Sequence, residues 1–215
     1  MEGDEGVVKI RETGQGRKNT KEKILEAAIE LFSESGVSAV SVRDITKAVG
    51  IKESALYNHY KSKDALLDDI LERFMNEFGK RTFSEDKIES RLNELGPELF
   101  LNNCILDLRE KLTPTVQKMW KIVYMEQFRD QRARNFVVNE IMSRPAAFYE
   151  KAFRLMLEKE MIKPLDPKLL SDEHSYTLLS MSHEHMLLRT DGKDTLPVIK
   201  KMFTHCKFFY ENIRK

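Results

Sequence analysis

Residues 41–63 read SVRDITKAVGIKESALYNHYKSK, and the fold follows from how this stretch divides. Ser41 and Asp44 have the spacing of a capping box, in which the hydroxyl serves an orphan N–H of the first turn and the carboxylate reaches back to the cap. Val42, Ile45 and Val49 supply one inner face, and Gly50 ends this helix after about two turns. A second short helix is predicted over Glu53 to Tyr60, with Ala55, Leu56 and Tyr60 turned inward. Ser62 then caps a longer helix carrying Leu66, Leu67, Ile70, Leu71 and Phe74. Two helices this short are unstable alone, so both must lean on what precedes them. Upstream, Ile24, Ala27, Ala28, Leu31 and Phe32 recur with a 3.6-residue period, while Glu22, Glu26, Glu30 and Glu34 line the wet side. Asn19 or Thr20 can cap that helix and Gly36 stops it.

Such a unit is either a helix-turn-helix or a small three-helix packing module. In the first case its second helix can enter a duplex major groove about 12 Å wide. It would offer Glu53, Ser54, Tyr57, Asn58 and His59 to the groove, with Lys61 and Lys63 beside a helix N-terminus suited to phosphate. Net charge alone does not decide. The 215 residues sum to +1, yet residues 9–63 hold eleven Lys/Arg against seven Asp/Glu, and phosphate attraction needs a basic face rather than a basic protein. The longest stretch lacking acid, Lys or Arg runs from His174 to His183, far short of the roughly 20 apolar residues of a membrane span. No apolar block opens the chain. No secretory signal or membrane association is expected, and two cysteines without ligand spacing suit a reduced, cytoplasmic protein.

The block Leu56-Tyr57-Asn58-His59-Tyr60-Lys61-Ser62-Lys63, with Lys21–Phe32, Gly36, Ser41–Ile45 and Val49–Ile51 at their intervals, resembles the TetR family of transcriptional regulators over roughly residues 21–71. The resemblance implies an all-α protein: a helix-turn-helix domain over residues 18–63 and a helical effector-binding and dimerisation domain over 64–215. It also implies that Arg43, Thr46, Glu53 and Ser54 face bases or nearby phosphates, and that Ser41, Tyr57, Asn58, His59 and Lys63 hold backbone. Chemistry suits these roles, since a guanidinium forks onto guanine or phosphate and a rigid phenol reaches one phosphate oxygen. His59 and Tyr57 could equally pack, and Arg43 could simply be solvated. The sequence departs from the family at Lys52, which cannot accept an N–H as a cap, at Glu53, and at Ser54. Residues 1–17 read as a flexible arm, in which Lys9, Arg11 and Arg17, with the adjoining Lys18, either follow a minor groove or stay solvated.

Beyond residue 64, helical spacing covers about 85–110, 113–129, 131–161, 168–189 and 195–213. Gly96-Pro97 is expected to kink the first of these, and Pro145 to break or kink the third. Candidate pocket residues are Phe100, Trp120, Tyr124, Met125, Phe128 and Phe148, each of which could instead be ordinary core. The last two helices are expected to form a homodimer through Tyr176, Leu179, His183, Leu187, Ile199, Met202, Phe203, Cys206 and Tyr210, or else to fill their own subunit. His183 and His185 diverge on a helix and His174 lies three turns away, so no metal is expected, nor any other cofactor. No HExxH, phosphate loop or nucleophile elbow is present, which argues against an enzyme. The function expected is a dimeric regulator, more often a repressor, that binds a double-stranded DNA operator and is released by a small, largely apolar or aromatic effector. The alternative is an architectural DNA-binding protein without an effector.

Overall fold

The computed structural model describes residues 19–79 and 82–215; the N-terminal arm and its basic residues lie outside them. The described chain is α-helical. Helix α1 spans Thr20–Ser35, and the Asn19 carboxamide accepts from Glu22 N–H at 2.8 Å. Gly36 ends it at φ 81°, where a side chain would be strained and would crowd Met125 and Glu126. Helices α2 (Val42–Val49), α3 (Glu53–Tyr57) and α4 (Lys63–Phe74) follow. The capping box at Ser41 and Asp44 is fully formed, Gly50 is left-handed, and Ser62 accepts from Ala65 N–H. Helix α3 is shorter than its pattern suggested: it ends at Tyr57, and in the turn that follows the N–H groups of His59 and Tyr60 both donate to the Leu56 carbonyl.

The body comprises α5 (Ile88–Lys111), α6 (Pro114–Glu126), α7 (Gln131–Phe136), α8 (Arg144–Glu158), α9 (Pro167–Thr190) and α10 (Leu196–Ile213). Thr113 and Asp166 cap α6 and α9 ahead of proline at the first turn. Gly96, at φ 72°, places a kink inside α5. Pro145 does not break its helix. A π-helical turn over Val137–Ser143 joins α7 directly to α8. Proline at 145 would press on the carbonyl of Ile141 in a regular α turn, and the wider turn makes room for it. A second π turn, Met75–Gly79, extends α4, and the two π turns pack on each other.

Two apolar clusters hold the molecule. One contains Ile24, Phe32, Ile45, Leu56, Leu66 and Phe74 from the first four helices, together with Met119, Trp120 and Val123 of α6. The expected boundary at residue 63 therefore meets a core that continues from the three-helix unit through α4 into α6. The other cluster joins α5, α8, α9 and α10 around Phe100, Phe148, Phe153 and Cys206.

Candidate nucleic-acid interface and the cavity behind it

Burial fixes which way α3 faces. Ile45 and Leu56 are fully buried, and Tyr60 is nearly so, its hydroxyl donating to Asp69 Oδ2 at 2.6 Å. That bond and the approach of Lys21 hold the Asp69 carboxyl below its usual range despite partial burial, and desolvation beside a carboxylate pushes the Tyr60 phenol far up. With those anchors inside, Glu53, Ser54, Tyr57, Asn58 and His59 all face solvent, Tyr57 at 51% exposure. Arg43, Lys52 and Lys61 are exposed too. Arg43, Lys47, Ile51, Lys52 and Glu53 line a shallow groove between α2 and α3. Lys47 escaped the sequence reading, although it stands one turn after Arg43 on the same face, and that i, i+4 spacing was the available signal. Lys52 makes no side-chain cap, so its charge stays free for an anion.

Three expected contacts have other work. Thr46 is 3% exposed and donates to the Arg43 carbonyl at 3.1 Å, so it props α2 from within even where it borders the groove. The Ser41 hydroxyl accepts from Asp44 N–H and donates to its carboxylate at 2.6 Å, which holds Asp44 below the ordinary carboxylate range. Lys63, only partly exposed, turns its ammonium onto the α1–α2 loop, donating to the carbonyls of Val37 at 2.8 Å and Val40 at 2.7 Å. A lysine at the start of a helix reads as a phosphate ligand in sequence; here two nearby carbonyls claim it.

The same loop is held from the body. Glu126, 4% exposed at the end of α6, accepts from Val37 N–H at 2.9 Å. Arg132 at the start of α7 pairs with Asp64 at 2.8 Å and Asp68 at 3.0 Å on α4, and with Asp130 at 2.6 Å, its capping neighbour. Helices α4, through Lys63, and α6, through Glu126, are thus both fixed to the loop, and α4 is tied to the start of α7 through Arg132.

The π turn that extends α4 borders, with α6, a narrow cavity of about 40 Å³. Phe78 of the first π turn, Ile141 and Met142 of the second, Trp120 of α6, and Ser175 and Leu179 of α9 are among its walls. Of the expected pocket residues only Trp120 lines it. Tyr124 stacks beyond Trp120, its ring parallel at 4° and 4.9 Å from His183. Met125 sits against Gly36. Phe100 and Phe148 stack on each other inside the second core, and Phe128 is 83% exposed in the turn after α6. Aromatic content marks these positions alike in sequence; only the packing separates wall, core and surface.

Among the expected dimer residues, Tyr176, His183 and Leu187 are exposed along α9, and Leu179, Ile199, Phe203 and Tyr210 are partly buried. Met202 and Cys206 are buried within the subunit's own second core, because α10 turns that stripe onto α5 and α9. Phe208, 65% exposed, faces out instead and was not anticipated. The histidines also meet unexpectedly: His174 and His205, 31 positions apart, bring ring nitrogens to 3.2 Å, and burial together with His205 pushes His174 down to about 3. No three His, Cys, Asp or Glu side chains converge as metal ligands among the described residues, and no described helix is long and apolar enough to cross a membrane.

Residues 24–70 match the family model described as bacterial regulatory proteins, tetR family. The HTH-type transcriptional repressor KstR2 of Rhodococcus jostii is 41% identical over 66 residues, 30% of this chain and 32% of that protein. The HTH-type transcriptional regulator AcrR of Shigella flexneri is 39% identical over 70 residues, 33% of each chain. The chain thus aligns with about a third of the length of these relatives. The likeness in fold is wider. SmeT, the repressor of the Stenotrophomonas maltophilia multidrug efflux pump SmeDEF, superposes with a TM-score of 0.64 at 20% identity, covering 92% of both chains; its triclosan complex superposes with the same score.

Proposed function

We propose that this chain, whose N-terminal domain belongs to the TetR family on a TetR-type fold, is a dimeric DNA-binding transcriptional regulator, and specifically a repressor released by a small, largely apolar or aromatic effector. The observation that carries the reading is the outward face of α3, where Tyr57, Asn58 and His59 stay in solvent while Leu56 and Tyr60 anchor the helix beneath them. Arg43, Lys47, Lys52 and Lys61 surround that face with exposed positive charge, and Glu53 can accept from cytosine N4. A two-fold partner docked on the exposed strip of α9 and α10 would set two such faces about 34–36 Å apart, or at a multiple of that.

Release follows from how the parts connect. The cavity touches α4 through Phe78 and α6 through Trp120, and both helices end at the α1–α2 loop or at α4's bridge to Arg132. An effector that binds better when these helices are displaced favours a dimer whose recognition helices no longer match successive grooves. Domain boundaries at residues 18–63 and 64–215 suit this reading if α4 is counted as the shared lever.

The second reading, an architectural DNA-binding protein with no effector, draws support from the cavity's size. About 40 Å³ is far below the roughly 300–1,000 Å³ of ligand pockets. Selection of bound fragments from random DNA, followed by anisotropy at several salt concentrations, tests the DNA role. Salt-steep, sequence-selective binding is expected, and uniform weak binding would remove the regulator reading.

A further inference from the structure

We infer that the cavity between the two π turns takes an uncharged, ring-sized apolar molecule that carries a hydrogen-bonding oxygen, and that it rejects acids and amines. The inference rests on the reading of this cavity as the effector site and goes on to name the ligand's chemistry.

Its walls carry the argument. Fifteen residues line it, and none has a formal charge. Bringing a carboxylate or ammonium into such a place costs several kcal/mol unless a partner of opposite charge waits there, and none does. The apolar contacts come from Phe78, Ile141 and Met142, with Leu178 and Leu179 opposite. Tyr149, Tyr176 and Ser182 add hydroxyls to the lining, but two other polar groups there lack a partner. Trp120 is 3% exposed and its indole N–H has no hydrogen-bond partner; Ser175 is 6% exposed and its hydroxyl has none either. The Tyr124 hydroxyl lies near enough to that N–H to interact with it, but short of regular hydrogen-bond geometry. Buried polar groups in folded proteins are almost always paired, so two orphans in one small cavity mark where a ligand's polar atom goes. The indole can only donate and the serine hydroxyl can donate or accept. The ligand's oxygen therefore accepts from Trp120 Nε1, and a hydroxyl group, more than a ketone, serves Ser175 as well.

Size adds a condition. At about 40 Å³ the space is smaller than one ring, since a cavity that takes benzene measures about 150 Å³, so a ring-sized ligand must push the walls apart. Phe78, Ile141 and Met142 stand on π-helical turns, which can tighten by one residue, and Met142 adds a flexible side chain. Tyr176, half exposed, borders both the cavity and solvent and gives the ligand its rim on the α9 side.

Trp120 is the chain's only tryptophan, so its emission reports occupancy directly. The full chain at pH 7.5 is titrated with cyclohexanol, methylcyclohexane, cyclohexanecarboxylate and cyclohexylammonium. Decahydro-2-naphthol serves as the larger alcohol. Saturable shifts are expected with an alcohol, with both ions weaker by about 100-fold or more. Ser175→Ala should weaken the alcohol about 3- to 10-fold and leave methylcyclohexane unchanged. Calorimetry on Trp120→Phe should find the same selective loss, which a merely disturbed fold would not produce. An ion binding as tightly as the alcohols overturns the inference, as does the absence of any saturable change with either alcohol. Adding the alcohol to the protein–DNA complex separates the two readings: binding without loss of DNA affinity removes the effector role and leaves the ligand class standing.

Discussion

Replacing Lys63 by Met keeps the side chain's apolar stem and deletes its charge, which separates two roles for the same residue. The ammonium donates to the carbonyls of Val37 and Val40 at 2.8 and 2.7 Å. Hydrogen bonds to a charged group contribute about 1.5–3 kcal/mol each. Lys63 is partly exposed, so water can reach both carbonyls once the ammonium is gone, and each bond contributes nearer the roughly 1 kcal/mol of an ordinary hydrogen bond. A loss of about 2 kcal/mol results for the pair. For a chain of this length each kcal/mol moves the melting midpoint by about 2–4 °C, so Lys63→Met should melt about 4–8 °C lower. A phosphate ligand would behave differently. Its removal would leave the midpoint in place and make the slope of log K against log salt shallower by about 0.9. Lys61, exposed two positions earlier, is the control, and Lys61→Met should show that phosphate pattern. Scanning calorimetry and salt-dependent anisotropy on both variants decide the matter. A Lys63→Met protein that melts within 1 °C of the parent and loses one unit of salt slope would refute the reasoning.

Glu126→Ala removes the acceptor for Val37 N–H and should destabilise by about 1–3 kcal/mol, read by denaturant unfolding; an unchanged midpoint would mean the loop is held without it. His174 is held neutral down to about pH 3 when folded but titrates near 6.5 when unfolded. Below 6.5 the unfolded chain therefore binds the extra proton, and stability, complete above that pH, falls as pH drops toward 3. About 2 kcal/mol should be lost by pH 5, with His185 and His205 adding in the same direction, and His174→Leu should flatten the profile; equal stability of the parent at pH 7.5 and pH 5 would contradict the burial argument. Tyr57→Phe should weaken DNA binding several-fold on every sequence, about what one hydrogen bond contributes, whereas Glu53→Ala should change base preference in a selection experiment; identical behaviour of the two would undo the assignment of α3. Leu187→Glu and Phe208→Glu, on side chains 57% and 65% exposed, should give folded monomers by sedimentation, and a persistent dimer would place the interface elsewhere.

The helix-turn-helix was legible because its signals are local. Capping at Ser41 and Ser62, the left-handed stop at Gly50, and the 3.6-residue stripe from Ile24 to Phe32 depend on neighbours within a few positions. Leu56 could be read as inward the same way, but Tyr57 and Tyr60 offer the same ring, and only the packing buries Tyr60 and leaves Tyr57 51% exposed. The body resisted for the opposite reason. Phe100, Trp120 and Phe128 are equally apolar in sequence, yet one is core, one is cavity wall and one is solvent-exposed.

Local chemistry in the sequence by itself determined the helices and their caps, because each rests on contacts within one or two turns. Tertiary structure alone decided that Lys63 turns to the α1–α2 loop, that Glu126 reaches Val37 across 89 positions, that His174 meets His205, and that Trp120 and Ser175 face one small cavity. Those outcomes depend on which helix faces which, and hydrophobic periodicity gives a helix an inner side without naming the partner that covers it.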